Sequence, residues 1–203
     1  MIKIISGCLK GLGITSPKGE ATRPTTSRVR EAVLNSLAAH IDGATFLDFF
    51  AGSGAMGLEA LSWGAKQIVF LDYGESCIKL LHHNLSLASQ KMLRDGLDAP
   101  EMRVISHRIC TREIYPRSLQ GKKADILWFD PPYTQVCGLV MSSAFWCQVD
   151  HVLAPEGFVI LECKRSDAAS IVGYIRDSQD CQFLSLVKHK NYSDTSVLWA
   201  RRK

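Results

Sequence analysis

No Cys-x-x-Cys pair occurs in these 203 residues, although there are seven cysteines, at positions 8, 77, 110, 137, 147, 163 and 181. An odd, scattered set excludes both a disulfide framework and a zinc ribbon, and it fits a reducing cytoplasm. Long apolar runs are also missing. The candidate stretch 44–65 is interrupted by Asp48 and by glycines, so no membrane span is expected. Ile5-Ser6-Gly7-Cys8 has the form of a lipoprotein cleavage box, but the four residues before it are too few for a signal peptide. Internal repeats, low-complexity tracts and interdomain linkers are absent. His82-His83 and His107 have no evident third partner, and adjacent histidines on a helix point apart, so no metal is expected.

What is present describes a globular protein. Hydrophobic residues make up 46% of the chain, and its length suits one domain with a sizeable core. The net charge of +4 is mild but unevenly spread. The first thirty residues hold Lys3, Lys10, Lys18, Arg23, Arg28 and Arg30 against Glu20 alone, and the tail adds Lys188, Lys190, Arg201, Arg202 and Lys203. Such clusters grip phosphate backbones. A solvated face is the commoner explanation of a charge run, so the clusters point to nucleic acid only in company with a matching site.

Residues 1–22 read as a small β extension, part of the same unit as 23–203, because apolar and polar residues alternate between turn signals. The spacing of Val29, Val33 and Leu37 predicts a helix over 26–39, with Arg28, Arg30 and Glu31 on its outer face. Strands are expected at 45–50, 67–72, 103–105, 124–129, 157–162, 182–188 and 195–201, and helices near 54–63, 75–90, 137–150 and 167–178. This alternation predicts an α/β fold, doubly wound around a seven-stranded, mostly parallel sheet, with ligands at the carboxyl ends of strands. Asn191-Tyr192-Ser193-Asp194 is too short to hold a crossover helix, so the last two strands should form an antiparallel hairpin.

Two motifs fall at such strand ends. Phe46-Leu47-Asp48-Phe49-Phe50 runs into Ala51-Gly52-Ser53-Gly54-Ala55-Met56-Gly57, where glycines let the backbone turn tightly and approach a ligand. Gly52-x-Gly54-x-x-Gly57 with Asp72 about twenty residues on also fits a dinucleotide fingerprint. Asp48 favours a different ligand. A carboxylate four residues before Gly52 suits a cationic ammonium and sulfonium better than a diphosphate. The second motif, Asp130-Pro131-Pro132-Tyr133, follows the apolar strand 124–129. Two prolines stiffen the turn and remove two backbone donors. That leaves an acid, carbonyls and a ring, which suit a flat base bearing an exocyclic amine. Together the two motifs predict an amino-directed methyltransferase.

The motifs resemble class I S-adenosylmethionine-dependent methyltransferases. Arg23-Pro24-Thr25-Thr26-Ser27-Arg28-Val29-Arg30-Glu31, with Ile4-Ile5-Ser6-Gly7 and Lys10-Gly11, narrows the resemblance to the RsmD family, bacterial guanine-N2 methyltransferases of 16S ribosomal RNA. The resemblance spans nearly the whole chain and is strongest at 23–37, 47–61 and 129–133. It implies that Asp48, Ala51, Gly52, Ser53 and Gly54 hold the cofactor, that Asp72 binds its ribose, and that Asp130, Pro131 and Tyr133 receive the guanine, position 966 in that RNA. Thr25 is implied beside the cofactor, and Lys10, Arg23, Arg28, Arg30 and Pro132 beside the RNA. After the third strand such enzymes usually place Asp or Asn against the adenine. Here the segment reads Ser106-His107-Arg108-Ile109, which leaves the adenine contact unassigned, with Arg108 a candidate for the cofactor. The loop Lys91 to Glu101 also looks longer than a compact member needs.

The implied partner is 16S RNA within a small subunit or an assembly intermediate, met by a cytoplasmic monomer without a metal. Other readings stay open at this point. Asp-Pro-Pro-Tyr also serves DNA adenine-N6 and cytosine-N4 methyltransferases, although no target-recognition domain is evident. A protein-glutamine methyltransferase usually has Asn in place of the acid. Pyrimidine C5 methylation needs a cysteine nucleophile, and Cys137 lies four residues beyond the turn. An RNA-binding scaffold without catalysis is the non-enzymatic alternative.

Overall fold

The computed structural model describes residues 1–17, 25–109 and 123–203. Arg23, Pro24, Lys18 and Cys110 lie outside the described residues. The chain divides into two compact units, Met1–Ser106 and His107–Lys203. Seven longer strands, mostly parallel and ending in an antiparallel pair, give the α/β class that the alternation predicts.

The first unit opens with β1 (Ile2–Lys3) and β2 (Gly13–Ile14), an antiparallel pair of two residues each. Residues between them dock on the end of a later helix, α2 (Ala55–Ser62). The Ile5 N–H donates to Glu59 Oε1 at 3.0 Å, the Leu9 N–H to Ser62 Oγ at 2.8 Å, and Trp63 Nε1 to Ser6 Oγ at 2.6 Å. The helix α1 (Ser27–Leu37) starts at Thr26, whose hydroxyl accepts the Val29 N–H at 3.3 Å. The strands β3 (Thr45–Phe49), β4 (Gln67–Asp72) and β5 (Glu101–Ser106) pair in parallel in the order β5-β4-β3. Their crossovers are α2 and α3 (Glu75–Arg94). Every residue of α2 is buried, which is why its apolar letters show no amphipathic period.

In the second unit β6 (Ala124–Phe129) leads to α4 (Val136–Val140) and α5 (Ser143–Val152). Then come β7 (Leu153–Lys164), α6 (Ala168–Asp177), a short 3-10 turn at Gln179–Cys181, β8 (Leu184–Tyr192) and β9 (Thr195–Arg202). The order is β6-β7-β9-β8, with β6 and β7 parallel and β9 antiparallel to both neighbours. The final hairpin therefore forms as expected. Phe129, Phe145 and Trp146 stack edge to face, with centroids 5.1 and 4.9 Å apart, and Trp146 Nε1 donates to the Val140 carbonyl at 2.6 Å.

Three boundaries differ from expectation. The helix predicted over 137–150 is two helices, because Ser142 adopts an extended conformation (ψ 126°) between them. The strand expected at 157–162 begins directly after α5. Its register jumps from Ala124↔Leu153 to Ile126↔Phe158, so Ala154–Gly157 bulges out of a longer strand. Four more residues of helix, up to Arg94, shorten the supposed long loop before β5.

Candidate functional site

In the first unit the glycine loop and the acid that ends β4 are joined directly. The Gly52 N–H donates to Asp72 Oδ2 at 2.9 Å, while Asp72 Oδ1 accepts the Tyr73 and Gly74 N–H groups at 2.8 and 3.0 Å. Adjacent parallel strands bring the two together: Ala51 continues the ladder by donating its N–H to the Leu71 carbonyl at 3.1 Å. Gly52 has φ +54°, and a Cβ there would meet only the Phe50 carbonyl at 3.9 Å. The backbone thus presents an open cradle that a side chain would fill. Phe50, before it, is a non-glycine residue at φ +62°, a strained conformation of the kind found at ligand sites. Gly52 and Asp72 are half-exposed, whereas Ala51, Ser53 and Gly54 are buried behind them. A carboxylate has about four acceptor directions. Three are taken, which leaves one acceptor direction on Oδ2.

Asp48 differs from the expected acid facing a cationic ligand. It is 1% exposed, and its Oδ2 accepts the Gly57 N–H at 2.9 Å, so the carboxylate anchors the first turn of α2. Gly57 has a packing role: a Cβ there would lie 2.3 Å from the Phe70 ring.

Arg30 requires a correction. Expected on the outer face of α1 as an RNA contact, it is 3% exposed. Its guanidinium reaches Glu59 Oε1 at 3.4 Å, the Thr25 carbonyl at 2.8 Å and the Lys3 carbonyl at 3.0 Å. It therefore positions Thr25, which is half-exposed, and cannot present its charge to a phosphate. Glu59 is fully buried, and burial pushes its carboxyl up, opposed by the Ile5 N–H and by Arg30. Lys10 and Arg28 are exposed as expected, and so is Arg108, two residues beyond β5. Sequence reasoning missed Asn84. This fully buried side chain of α3 donates to the Ser53 carbonyl at 2.8 Å and to the Thr15 carbonyl at 2.9 Å, and accepts the Thr15 N–H at 2.9 Å. The signal was available: Asn84 sits three residues after Leu81, on the helix's apolar stripe.

In the second unit, Asp130-Pro131-Pro132-Tyr133 leaves the end of β6 as a turn. Pro131 is buried, Asp130 and Tyr133 are half-exposed, and Pro132 is exposed. The Pro132 carbonyl accepts the Gln135 N–H at 2.8 Å, which closes the turn into α4. The Tyr133 hydroxyl meets Thr195 Oγ1 at 2.7 Å, and Lys164 Nζ lies over the Tyr133 ring, 5.6 Å from its centroid. Both partners lie at strand ends that the antiparallel register places opposite each other, Lys164↔Thr195. Cys137 is no activated nucleophile: burial, reinforced by Asp167, pushes its thiol up. Cys163 is pushed up to about 12, first by burial and then by Asp167 and its neighbours. Among the described residues no cluster of three or more His, Cys, Asp or Glu is placed to hold a metal, and no helix is long and apolar enough to cross a membrane.

Comparison with known proteins adds the context. The family model described as "Conserved hypothetical protein 95" matches residues 2–200. The ribosomal RNA small subunit methyltransferase D of Escherichia coli strain K12 is 32% identical over 161 residues, 79% of this chain and 74% of that protein. The Bacillus subtilis protein YlbH is 28% identical over 166 residues, 81% of this chain and 83% of its own. The solved structure of the Escherichia coli protein yhhF superposes with a TM-score of 0.74 at 26% identity, covering 100% of this chain and 98% of that one.

Proposed function

The chain belongs to the RsmD family, and from that premise we propose that it methylates the exocyclic N2 of a guanine in 16S ribosomal RNA, using S-adenosylmethionine. The observation that carries this reading is the turn at the end of β6: an acid, a proline carbonyl and an aromatic ring held by Thr195. Position 966 is the base that the family resemblance implies.

When bound, S-adenosylmethionine would supply an electrophilic methyl group to N2 and leave as the neutral thioether, and the proton that N2 gives up would pass first to the Asp130 carboxylate holding it. The chain's own residues bind and orient. Asp72 Oδ2 accepts a ribose hydroxyl, and the open backbone at Gly52 admits the ligand without a side chain in the way. Asp48 acts at one remove by fixing the amide of Gly57, and Asn84 fixes the loop at Ser53. In the other unit the Asp130 carboxylate and the Pro131 carbonyl accept the two N2–H bonds. That turns the nitrogen lone pair away from conjugation with the ring and makes it a better nucleophile. One face of Tyr133 carries the Lys164 ammonium, and the other stacks on the purine, which is worth about 1–3 kcal/mol. The base is unstacked from its neighbours to reach this turn.

The test is methyl transfer from labelled S-adenosylmethionine to unmodified small subunits, protein-free 16S RNA and duplex DNA, with Asp130→Ala as control. N2-methylguanosine in the ribosomal RNA, lost in the variant while cofactor binding persists, supports the proposal. Label confined to DNA overturns it.

A further inference from the structure

We propose that the antiparallel strands of the second unit carry a three-lysine track, Lys164, Lys190 and Lys188, that holds the phosphates of single-stranded RNA flanking the base at Tyr133. The inference rests on the reading of the protein as an RNA methyltransferase and adds the path by which the strand arrives.

Register and side-chain alternation define the track. In β9, Thr195, Val197 and Trp199 share one face. Their partners in β7 are Lys164, Glu162 and Ile160, and their partners in β8 are Tyr192, Lys190 and Lys188. The same face therefore carries Lys164 at one end and the two β8 lysines further along. Two independent contacts agree with this assignment. Lys188 Nζ lies 4.6 Å from the Trp199 ring centroid, and Lys190 Nζ lies 5.3 Å from that of Tyr192. Tyr133 joins the face through Thr195 and Lys164. The catalytic turn and the lysine row thus meet at Lys164↔Thr195↔Tyr192.

All three lysines are exposed, while Tyr192 and Trp199 beneath them are buried. The rings support the lysine stems and orient the ammonium groups, an arrangement that lowers the entropy lost on meeting a phosphate. Lys188 and Lys190 are two residues apart on one strand, a separation of roughly 6.6 Å. That matches the step of an extended sugar–phosphate chain. The acid on this face of the paired stretch, Glu162, is buried and does not compete at the surface. β8 is also the edge of its sheet, with Val187 52% exposed, so a strand of RNA can lie along it without displacing protein.

The test measures binding of protein-free, unmodified 16S RNA by the full chain as a function of salt, together with methyl transfer. Each lost phosphate contact to a single strand lowers the slope of log K against log salt by about 0.7, so Lys188→Gln with Lys190→Gln should lower it by about 1.4. Affinity at 0.1 M salt should fall about tenfold or more. S-adenosylmethionine binding should be unchanged, and Lys188→Arg with Lys190→Arg should restore the slope. Lys79→Gln, the loss of one positive charge on α3, should leave it unaltered. An unchanged slope in the double Gln variant, with the unaltered protein still methylating RNA, overturns the track. Failure of the unaltered protein to methylate RNA overturns instead the reading on which the track rests.

Discussion

The Gly52 amide and the Asp72 carboxylate are hydrogen-bonded at 2.9 Å, so the glycine loop after β3 and the acid ending β4 form one device. Removing the acid therefore does two things: it deletes the Oδ2 acceptor proposed for the ribose and leaves three backbone N–H groups without their acceptor. Asp72→Ala should weaken S-adenosylmethionine binding roughly 10- to 150-fold, the loss expected for a hydrogen bond to a charged group of about 1.5–3 kcal/mol. Gly52→Ala should also weaken binding, through strain at φ +54° and by filling the cradle. Isothermal titration calorimetry on both variants is the check. An unchanged dissociation constant in Asp72→Ala would remove the ribose assignment.

A buried ion pair beneath the N-terminal segment gives a pH-dependent prediction. Burial raises the folded-state pKa of Glu59 above its unfolded value, and Arg30 opposes the shift. A raised carboxyl favours folding fully below the unfolded value of 4.5, and that contribution is lost as pH rises through the higher folded value. Glu59→Gln has no such dependence. The stability of the Gln variant relative to the unaltered chain should therefore increase as pH climbs through this window and then level off. Arg30→Met leaves the acid buried without its cation, so it should cost about 3–5 kcal/mol and extend the window upward. Thermal melts from acid to neutral pH decide the matter. A loss of RNA affinity in Arg30→Met without a loss of stability would contradict the buried role.

Why Arg30 misled is instructive. Within Ser27–Leu37 the apolar stripe is plain, and an arginine beside it reads as solvent-facing. What buries Arg30 is Glu59, distant in sequence, together with two carbonyls from Thr25 and Lys3. None of these has a local signature. By contrast, β4 and β6 were legible to the residue, because parallel strands with buried centres are apolar runs bounded by turns. The glycine loop and the Asp-Pro-Pro-Tyr turn were legible as well, since their backbone demands restrict which residues can stand there. Helices α4 and α5 were not, because the break falls at Met141-Ser142, where neither residue is a Gly or Pro that would mark it. Tyr133's partners Thr195 and Lys164 depend on strand register, which a single sequence does not reveal.

Asn84 separates stability from ligand binding in the opposite sense to Asp72. Its side chain satisfies the partly buried Thr15 N–H and carbonyl and the buried Ser53 carbonyl. Asn84→Leu keeps the volume but strands those groups, at about 1–3 kcal/mol for each that finds no water. The melting temperature should fall sharply, whereas S-adenosylmethionine binding at low temperature should weaken only several-fold, through the loosened Ser53. Parallel melting and calorimetry on Asn84→Leu and Asp72→Ala should show the two effects in inverse proportion. Equal effects on both quantities in both variants would mean that Asn84 touches the ligand itself.

The hydrogen bond between Tyr133 and Thr195 makes the last claim separable into ring and hydroxyl. Tyr133→Phe keeps the stacking surface and loses only the 2.7 Å bond, worth about 0.5–1.5 kcal/mol net. Thr195→Val removes the same bond from the other side. If the bond's role is to set the ring's orientation, either change should lower kcat/KM for RNA by up to about tenfold. The double variant should then be no worse than the single ones, since one interaction cannot be lost twice. Tyr133→Ala also loses the stacked ring, a further 1–3 kcal/mol or so, and should fall roughly 5- to 150-fold below Tyr133→Phe. Additive losses in the double variant would show that Thr195 serves the reaction through some other contact. Equal rates for Tyr133→Phe and Tyr133→Ala would show that no base stacks on the ring.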